Sequence, residues 1–134
     1  ESGKSQVWSK NGRVHREGDL PAVIQSDGTE EWLSNGNRHR EGDLPALVGP
    51  DRQEWYQNNM LHRDNDLPAV VIEDGYRAWY KDGYRHREGD QPAIVSADGN
   101  KEWWYEGNFV RSESFDGRDA TEDRLQEEYD DIPF

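Results

Sequence analysis

Short apolar runs alternate with polar turn residues along the first 110 residues of the chain. A β-branched run such as "PAVI" comes first, an aromatic run such as "EWY" follows it, and the two runs then recur. Asp-Gly separates the first run from the second, and Asn-Gly or a related pair comes after the second. Such pairs tolerate the positive φ angles of tight turns, and short β-branched and aromatic runs favour strands. No part of residues 1–110 has a helical period, so the pattern predicts short antiparallel strands joined by tight turns.

This alternation is a repeat with a period of about 24 residues. Proline opens each β-branched run, at Pro21, Pro45, Pro68 and Pro92. One tryptophan recurs in each aromatic run: Trp8, Trp32, Trp55, Trp79 and Trp103. A His-Arg pair follows the turn after the aromatic run: His15-Arg16, His39-Arg40, His62-Arg63 and His86-Arg87. A fixed period of this length indicates a repeat architecture. We therefore predict an all-β meander of antiparallel hairpin repeats with about two strands per unit, in which a ladder of tryptophans packs against a ladder of Val and Ile.

The repeat defines one domain over residues 7–110, which is preceded at 1–6 by an arm or a cloning remnant. Because only 31% of the residues are hydrophobic, its core is expected to be modest. At its end, Val110 stands where the repeat places histidine, and no further "PAVI" run follows. The open edge of a terminal unit invites pairing with another chain. We expect Phe109, Val110 and Phe115 to cap that edge.

Residues 111–134 are an acidic tail. Nine acidic residues and three arginines give it a net charge of 3 − 9, or −6. The stretch "DATEDRLQEEY" predicts a short helix, with Asp119 or Thr121 as its N-cap and with Leu125 and Tyr129 on one face. The same acidity is equally typical of a disordered arm.

The charge of the whole chain restricts its partners. A formal net charge of −13 argues against adhesion to nucleic acid or to an anionic membrane, and it favours basic protein surfaces as partners. The chain has no cysteine, which excludes disulfides, thiolate metal sites and a cysteine nucleophile and is typical of a cytoplasmic protein. No apolar run is long enough to span a bilayer. We therefore expect a cytoplasmic protein without direct contact to nucleic acid or membrane.

The repeated "N-G-x-x-H-R-x-x-x-x-P-A" arrangement resembles the MORN family of β-hairpin repeats. It is most similar to the MORN-like arrays of large viruses, phages and some bacteria. The resemblance covers about 100 residues, but the glycine spacing departs from the standard MORN pattern and the His-Arg pair is additional. It implies a hairpin-repeat fold and little about chemistry, because one fold carries many functions.

The four His-Arg pairs are expected to form a stripe along one edge of the stacked units. Copies separated by two strands would lie about 10 Å apart, too far to share one metal ion. Each arginine is followed by one acid (Glu17, Glu41, Asp64, Glu88) and then by a second (Asp19, Asp43, Asp66, Asp90). These acids cancel the field that a phosphate would need. We therefore expect each arginine to pair with an aspartate of its own or the neighbouring unit, and each histidine to bond a loop carbonyl that fixes the turn before "PAVI".

The sequence offers no catalytic site. No serine or threonine lies in a nucleophile-like turn, and the carboxylates recur with the repeat instead of forming one unique pair. We therefore predict a protein that is not an enzyme and holds no cofactor or metal.

The chain closes on Asp130, Asp131, Ile132, Pro133 and Phe134, which resemble the acidic tip of the bacterial single-stranded-DNA-binding protein, SSB. Nothing else in the chain resembles SSB, whose oligonucleotide-binding barrel is absent. The resemblance implies that these five residues bind a host protein with an SSB-tip pocket, such as exonuclease I, the helicases RecQ or PriA, the mediator RecO, or the chi subunit of the replicative polymerase. A phage or mobile-element protein of this kind would inhibit or redirect host DNA repair and replication.

Other interpretations stay open. The five closing residues would serve only as an intramolecular staple in an immunity, antitoxin or anti-defence protein that binds a toxin or nuclease through its acidic repeat surface. A purely structural viral repeat protein is a further alternative.

Overall fold

The structure, a computed structural model, describes residues 4–115. These residues fold as an all-β protein, as the sequence predicts, and they contain no helix long and apolar enough to cross a membrane. The helix expected over residues 119–129 lies outside the described residues. The strands are β1 Gln6–Val7, β2 Ser9–Lys10, β3 Arg13–Val14, β4 Val23–Ile24, β5 Glu30–Glu31, β6 Leu33–Ser34, β7 Asn37–Arg38, β8 Leu47–Val48, β9 Arg52–Glu54, β10 Tyr56–Gln57, β11 Met60–Leu61, β12 Val70–Ile72, β13 Arg77–Ala78, β14 Tyr80–Lys81, β15 Tyr84–Arg85, β16 Ile94–Val95, β17 Lys101–Tyr105 and β18 Asn108–Glu113.

The strands belong to one long sheet and to a series of small hairpins. Ten of them form an antiparallel sheet in the order β1-β4-β5-β8-β9-β12-β13-β16-β17-β18, and four two-stranded ladders, β2–β3, β6–β7, β10–β11 and β14–β15, stand beside it. A complete unit such as residues 19–42 therefore contains four strands, β4 to β7, where about two were expected. That expectation was wrong for two reasons: the aromatic runs before the last one divide at their tryptophan, and the residues after the following hairpin turn form a further strand.

Trp32 shows how the division arises. Its N–H donates to the carbonyl of Ala46 in the next unit, and its own carbonyl accepts the N–H of His39 in the same unit. The first bond belongs to the long sheet and the second belongs to the small hairpin β6–β7. The chain between His39 and Ala46 leaves the sheet as a loop, so the two ladders cannot be continuous.

The small hairpins turn through two consecutive residues with positive φ. In the turn Asn35-Gly36 these angles are 52° and 86°, which is the geometry of a two-residue hairpin loop whose twist matches that of its strands. Asn58-Asn59 shows the same geometry with angles of 49° and 71°. An Asn residue accepts this conformation because its short polar side chain tolerates the left-handed region.

The most deeply buried side chains are small. The alanine that follows each repeat proline has no exposed surface, and Ala78 is likewise fully covered. The repeat tryptophans from Trp32 to Trp103 are 7–8% exposed, whereas most of the Val and Ile positions are only half-buried. The tryptophans and alanines thus carry more of the repeated core than the expected Val/Ile ladder does, and Val70, Ala78 and Ile94 form one additional cluster.

The last unit closes the sheet differently from the others. Val110 and Arg111 run directly into strand instead of entering a loop, and β18 pairs along the whole of β17. A bulge between Trp103 and Trp104 divides the β17–β18 ladder into two parts. One part takes the place of a small hairpin, and the other takes the place of the next "PAVI" run. β18 extends to Glu113, three residues past the predicted end of the repeat domain. Phe109, Val110 and Phe115 lie in this terminal segment, and each remains about half exposed.

Candidate functional site

The arginines of the His-Arg stripe lie over the rings of the repeat tryptophans. Each guanidinium carbon lies 3.7 or 3.8 Å from the centroid of an indole ring, a distance typical of a cation–π contact. The stacked pairs are Arg16–Trp8, Arg40–Trp32, Arg63–Trp55, Arg87–Trp79 and Arg111–Trp103. Arg111 keeps the arrangement in the last unit although Val110 replaces the histidine beside it.

Each internal guanidinium is also held by hydrogen bonds. Arg63 donates through Nε and Nη2 to the two carboxylate oxygens of Asp43, at 2.9 and 3.3 Å, and through Nη1 to the carbonyl of Pro68 at 3.1 Å. Arg40 makes the same contacts with Asp19 and Pro45, and Arg87 makes them with Asp66 and Pro92. The expected pairing with aspartate is present in these three arginines, whereas Arg16 bonds the carbonyl of Pro21 and has no carboxylate within ion-pair distance among the described residues. The side chain of Arg63 is only 15% exposed. Its donors are directed at protein atoms, so it is not presented to an external phosphate.

The paired aspartate has a second role that sequence reasoning missed. The backbone of Asp43 lies in the left-handed region with φ of 57°, and its carbonyl accepts the indole N–H of Trp55 at 3.1 Å. Asp43 therefore binds both members of the stacked pair, the tryptophan through its backbone and Arg63 through its side chain. The aspartates in this conformation are Asp19, Asp43, Asp66 and Asp90. A Gly-Asp or Asn-Asp dipeptide before "x-P-A" is the sequence signal that marks them.

The histidines do not bond loop carbonyls, so that expectation was wrong. In His62, Nδ1 accepts the backbone N–H of Asp82 in the next unit at 2.9 Å, and Nε2 donates to the carboxylate of Asp64 at 2.9 Å. His15, His39 and His86 make the equivalent pair of bonds. An accepting Nδ1 requires that the proton of the neutral ring is on Nε2. Each histidine thus connects the hairpin turn of the following unit to an acid of its own loop.

Hydrogen-bonded ion pairs in the stripe lower the pKa of some carboxyl groups. The hydrogen bond from Arg87 lowers the pKa of Asp66 below its ordinary value. The hydrogen bond from Lys10, at 2.8 Å, likewise lowers the pKa of Glu17. Both groups therefore stay ionised at neutral pH.

Some of the residues that change from unit to unit lie on the small hairpins. Tyr56 donates its hydroxyl to Glu54 at 2.8 Å, and burial together with this bond raises its pKa to about 12. Arg38 lies over the Tyr56 ring at 5.2 Å and pairs with Glu31 at 3.0 Å. These contacts are part-buried, so the variable positions also contribute to packing. Sequence reasoning missed them because they do not follow the repeat.

Among residues 4–115, no three side chains of His, Cys, Asp or Glu are placed to hold one metal ion. The five residues of the predicted tip, Asp130, Asp131, Ile132, Pro133 and Phe134, lie outside the described residues. The described array therefore carries the repeat residues, and the predicted partner-binding residues remain a sequence-based prediction.

Comparison with known proteins identifies no relative. No protein-family model, no curated protein sequence and no solved structure matches the chain.

Proposed function

We propose that this is a non-enzymatic binding protein whose residues Asp130, Asp131, Ile132, Pro133 and Phe134 occupy the pocket by which host enzymes recognise the tip of SSB. The observation that carries the proposal is the sequence of these five residues. The partner is an enzyme of DNA repair or replication, such as exonuclease I or RecQ, in a bacterial cytoplasm. A protein of a phage or mobile element would inhibit or redirect such an enzyme by competing with SSB.

The chemistry of the five residues suits such a pocket. An apolar floor accepts the ring of Phe134, and an arginine at the rim pairs with its α-carboxylate when that group is free. Pro133 restricts the backbone before the pocket and so lowers the entropy lost on binding. Asp130 and Asp131 meet a basic ridge and speed the encounter.

The repeat array supports the proposal through the role of its recurring polar groups. The arginines and histidines of the stripe bind aspartates, carbonyls and turn N–H groups of the array itself. They therefore act as structural groups, and the array serves as the body that accompanies the tip to its partner. The whole chain carries a net charge of −13, which repels DNA phosphates, so competition with SSB occurs at the enzyme and not on the DNA.

A second candidate function rests on the loops that follow the His-Arg pairs. The first acid of each loop has a side chain that is 69–86% accessible: Glu17, Glu41, Asp64 and Glu88. Such acids, repeated along one edge, would match a basic active-site cleft. An immunity, antitoxin or anti-defence protein would bind a toxin or nuclease in this way.

Affinity capture from a bacterial lysate tests the two functions against each other. One variant lacks residues 130–134, and the matched variant keeps them but carries glutamine or asparagine at the four loop acids. The SSB-tip proposal expects the deletion to abolish capture of SSB-binding enzymes and the neutralised loops to retain it. The opposite result would favour the acidic edge and reject the tip.

A further inference from the structure

The long sheet ends in an unusually extended strand. β18 spans six residues, Asn108–Glu113, and it is the last strand in the order of the sheet, so within residues 4–115 it pairs with β17 alone. Its residues up to Ser112 are exposed, and Val110 retains 57% of its surface. At the other end of the sheet, the edge strand β1 has two residues, Gln6–Val7. An edge strand of this length with apolar side chains is a template for another strand.

Opposite charges on β18 are arranged so that the strand is complementary to itself. Arg111 and Glu113 flank Ser112, lie on the same face of the strand and form an ion pair of 2.8 Å within it. In an antiparallel pair of two such strands centred on Ser112, Arg111 of each copy lies opposite Glu113 of the other. Opposite charges in directly facing positions stabilise such a pair, whereas a strand guarded by like charges repels its copy.

We propose that two copies of this chain associate edge to edge through β18, antiparallel and with Ser112 on the two-fold axis. The pairing continues the sheet from one copy into the other and replaces the Arg111–Glu113 ion pair within each copy by two such pairs between the copies. It also brings Val110 of each copy opposite Ser114 of the other copy. Phe109 of each copy then lies opposite Phe115 of the other. The contact is isologous, since each residue i that meets j is matched by j meeting i.

A head-to-tail arrangement of β18 on β1 fits less well. β18 holds the place of a "PAVI" run, because Ser112 pairs with Glu102 as Ile94 does on the other side. Placed in that way against β1, Ser112 would meet Val7 and Glu113 would meet Gln6. Neither pair contains opposite charges, and only two residues of β1 are available for the ladder.

Cysteine cross-linking of the full chain tests the register, because the chain has no cysteine of its own. With Ser112 on the axis, the facing Cα atoms are about 4.5–5.5 Å apart, within the range that a disulfide spans. Ser112→Cys is therefore expected to give a covalent dimer under mild oxidation. The control Asn108→Cys is equally exposed on the same strand, but its two copies are eight residues apart along the ladder, about 26 Å, so it should stay monomeric.

Sedimentation equilibrium of the cysteine-free protein provides the second measurement, which does not depend on how a variant folds. A monomer–dimer equilibrium is expected at micromolar concentration. Glu113→Arg should weaken dimerisation at least about tenfold, because Arg111 of each copy would then face an arginine of the other. A monomer at all concentrations would overturn the proposal. So would cross-linking that is as fast at residue 108 as at 112, or preferential cross-linking of Ser112→Cys to a Val7→Cys chain, which would indicate head-to-tail contact instead.

Discussion

Arg40 and Trp32 are stacked with the guanidinium carbon 3.7 Å from the indole centroid, and one aspartate binds both of them. The carboxylate of Asp19 accepts from Arg40 at 2.9 Å, and its carbonyl accepts the indole N–H of Trp32 at 3.2 Å. The side chain of Arg40 is only 15% exposed, and it contacts the ring of Trp32 as well as its acceptors Asp19 and Pro45. The stripe therefore stabilises each loop by fixing it to the aromatic core beneath it.

Arg63→Ala is expected to destabilise the array without changing partner affinity. The substitution removes the stack on Trp55 and leaves Asp43 and the carbonyl of Pro68 without their donor. Hydrogen bonds to charged groups and cation–π contacts of this kind contribute about 1–3 kcal/mol, so we expect a loss of about 2–3 kcal/mol in the free energy of unfolding. Denaturant titration measures this loss.

Arg16→Ala is the matched control that isolates the contribution of the ion pair with aspartate. Arg16 stacks on Trp8 and donates to the carbonyl of Pro21, but among the described residues no carboxylate lies within ion-pair distance of it. Its loss should be clearly smaller than that of Arg63→Ala. Equal losses, or a loss of binding with unchanged stability in Arg63→Ala, would contradict the structural role of the stripe.

The periodic features of the fold were predictable from the sequence because they are local. Asn35-Gly36 indicates a hairpin turn by itself, and the recurrence of Trp32 at Trp55 and Trp79 indicates the repeat. The number of strands was not predictable, since nothing next to Trp32 signals a break. The break arises because the chain between His39 and Ala46 forms a loop, which separates the small hairpin from the long sheet.

Partner choice within the stripe was predictable only in part. The acids that recur beside each arginine predict a carboxylate partner, so the bond from Arg63 was expected, but the sequence did not indicate that Asp43, rather than Asp64, would accept it. The acceptor role of His62 was missed because its donor is the backbone N–H of residue 82. Every residue but proline has such a group, and sequence does not mark which one faces the ring.

The buried alanines are expected to be intolerant of enlargement. Ala69 has no exposed surface, and its backbone bonds to Trp55 and to Ala78 on either side. Ala69→Leu forces extra volume into this packed site, which costs about 1–3 kcal/mol. The exposed Ala97→Leu serves as the control and should change the midpoint of thermal unfolding little. A stable Ala69→Leu protein with an unchanged midpoint would show that this layer is loosely packed.

All four histidines are expected to carry their ring proton on Nε2. The turn N–H of the following unit occupies Nδ1 in each ring, for example the N–H of Glu106 on His86 at 2.9 Å. Long-range nitrogen–proton correlation spectra distinguish the two tautomers by the shifts of the ring nitrogens. A ring with its proton on Nδ1 would mean that the turn is not bound as described.

The ion pair of Arg87 with Asp66 should make the stability of the array depend on pH. Because the hydrogen bond from Arg87 lowers the pKa of Asp66 in the folded state, its contribution is fully present above the unfolded-state value, near 3.9, and is lost as pH falls through the folded-state value. Asp66→Asn removes this dependence. The free energy of unfolding of the wild type should therefore fall more between pH 5 and pH 2 than that of Asp66→Asn, and parallel curves would contradict the assignment.

The functional proposal predicts a specific role for Phe134. Phe134→Ala removes the ring that fills the partner's pocket, and burial of such a side chain contributes about 1.5–3 kcal/mol, or about tenfold to more than a hundredfold in affinity. One glycine added after Phe134 should weaken binding nearly as much, since it moves the carboxylate away from the rim arginine while the ring is retained. If the tail bound its partner only through its hydrophobicity, the added glycine would leave the affinity unchanged.

Salt and competition complete the test of the tip. Asp131→Asn should weaken binding less than Phe134→Ala, and its effect should shrink as salt rises, because charges on an exposed ridge are screened. A peptide that ends in Asp-Asp-Ile-Pro-Phe should displace the whole protein from exonuclease I or RecQ in fluorescence anisotropy, and the same peptide with an amidated terminus should do so poorly. If the peptide does not compete at saturation and the Phe134→Ala protein still binds normally, the tip is not the binding site and the repeat array must hold it.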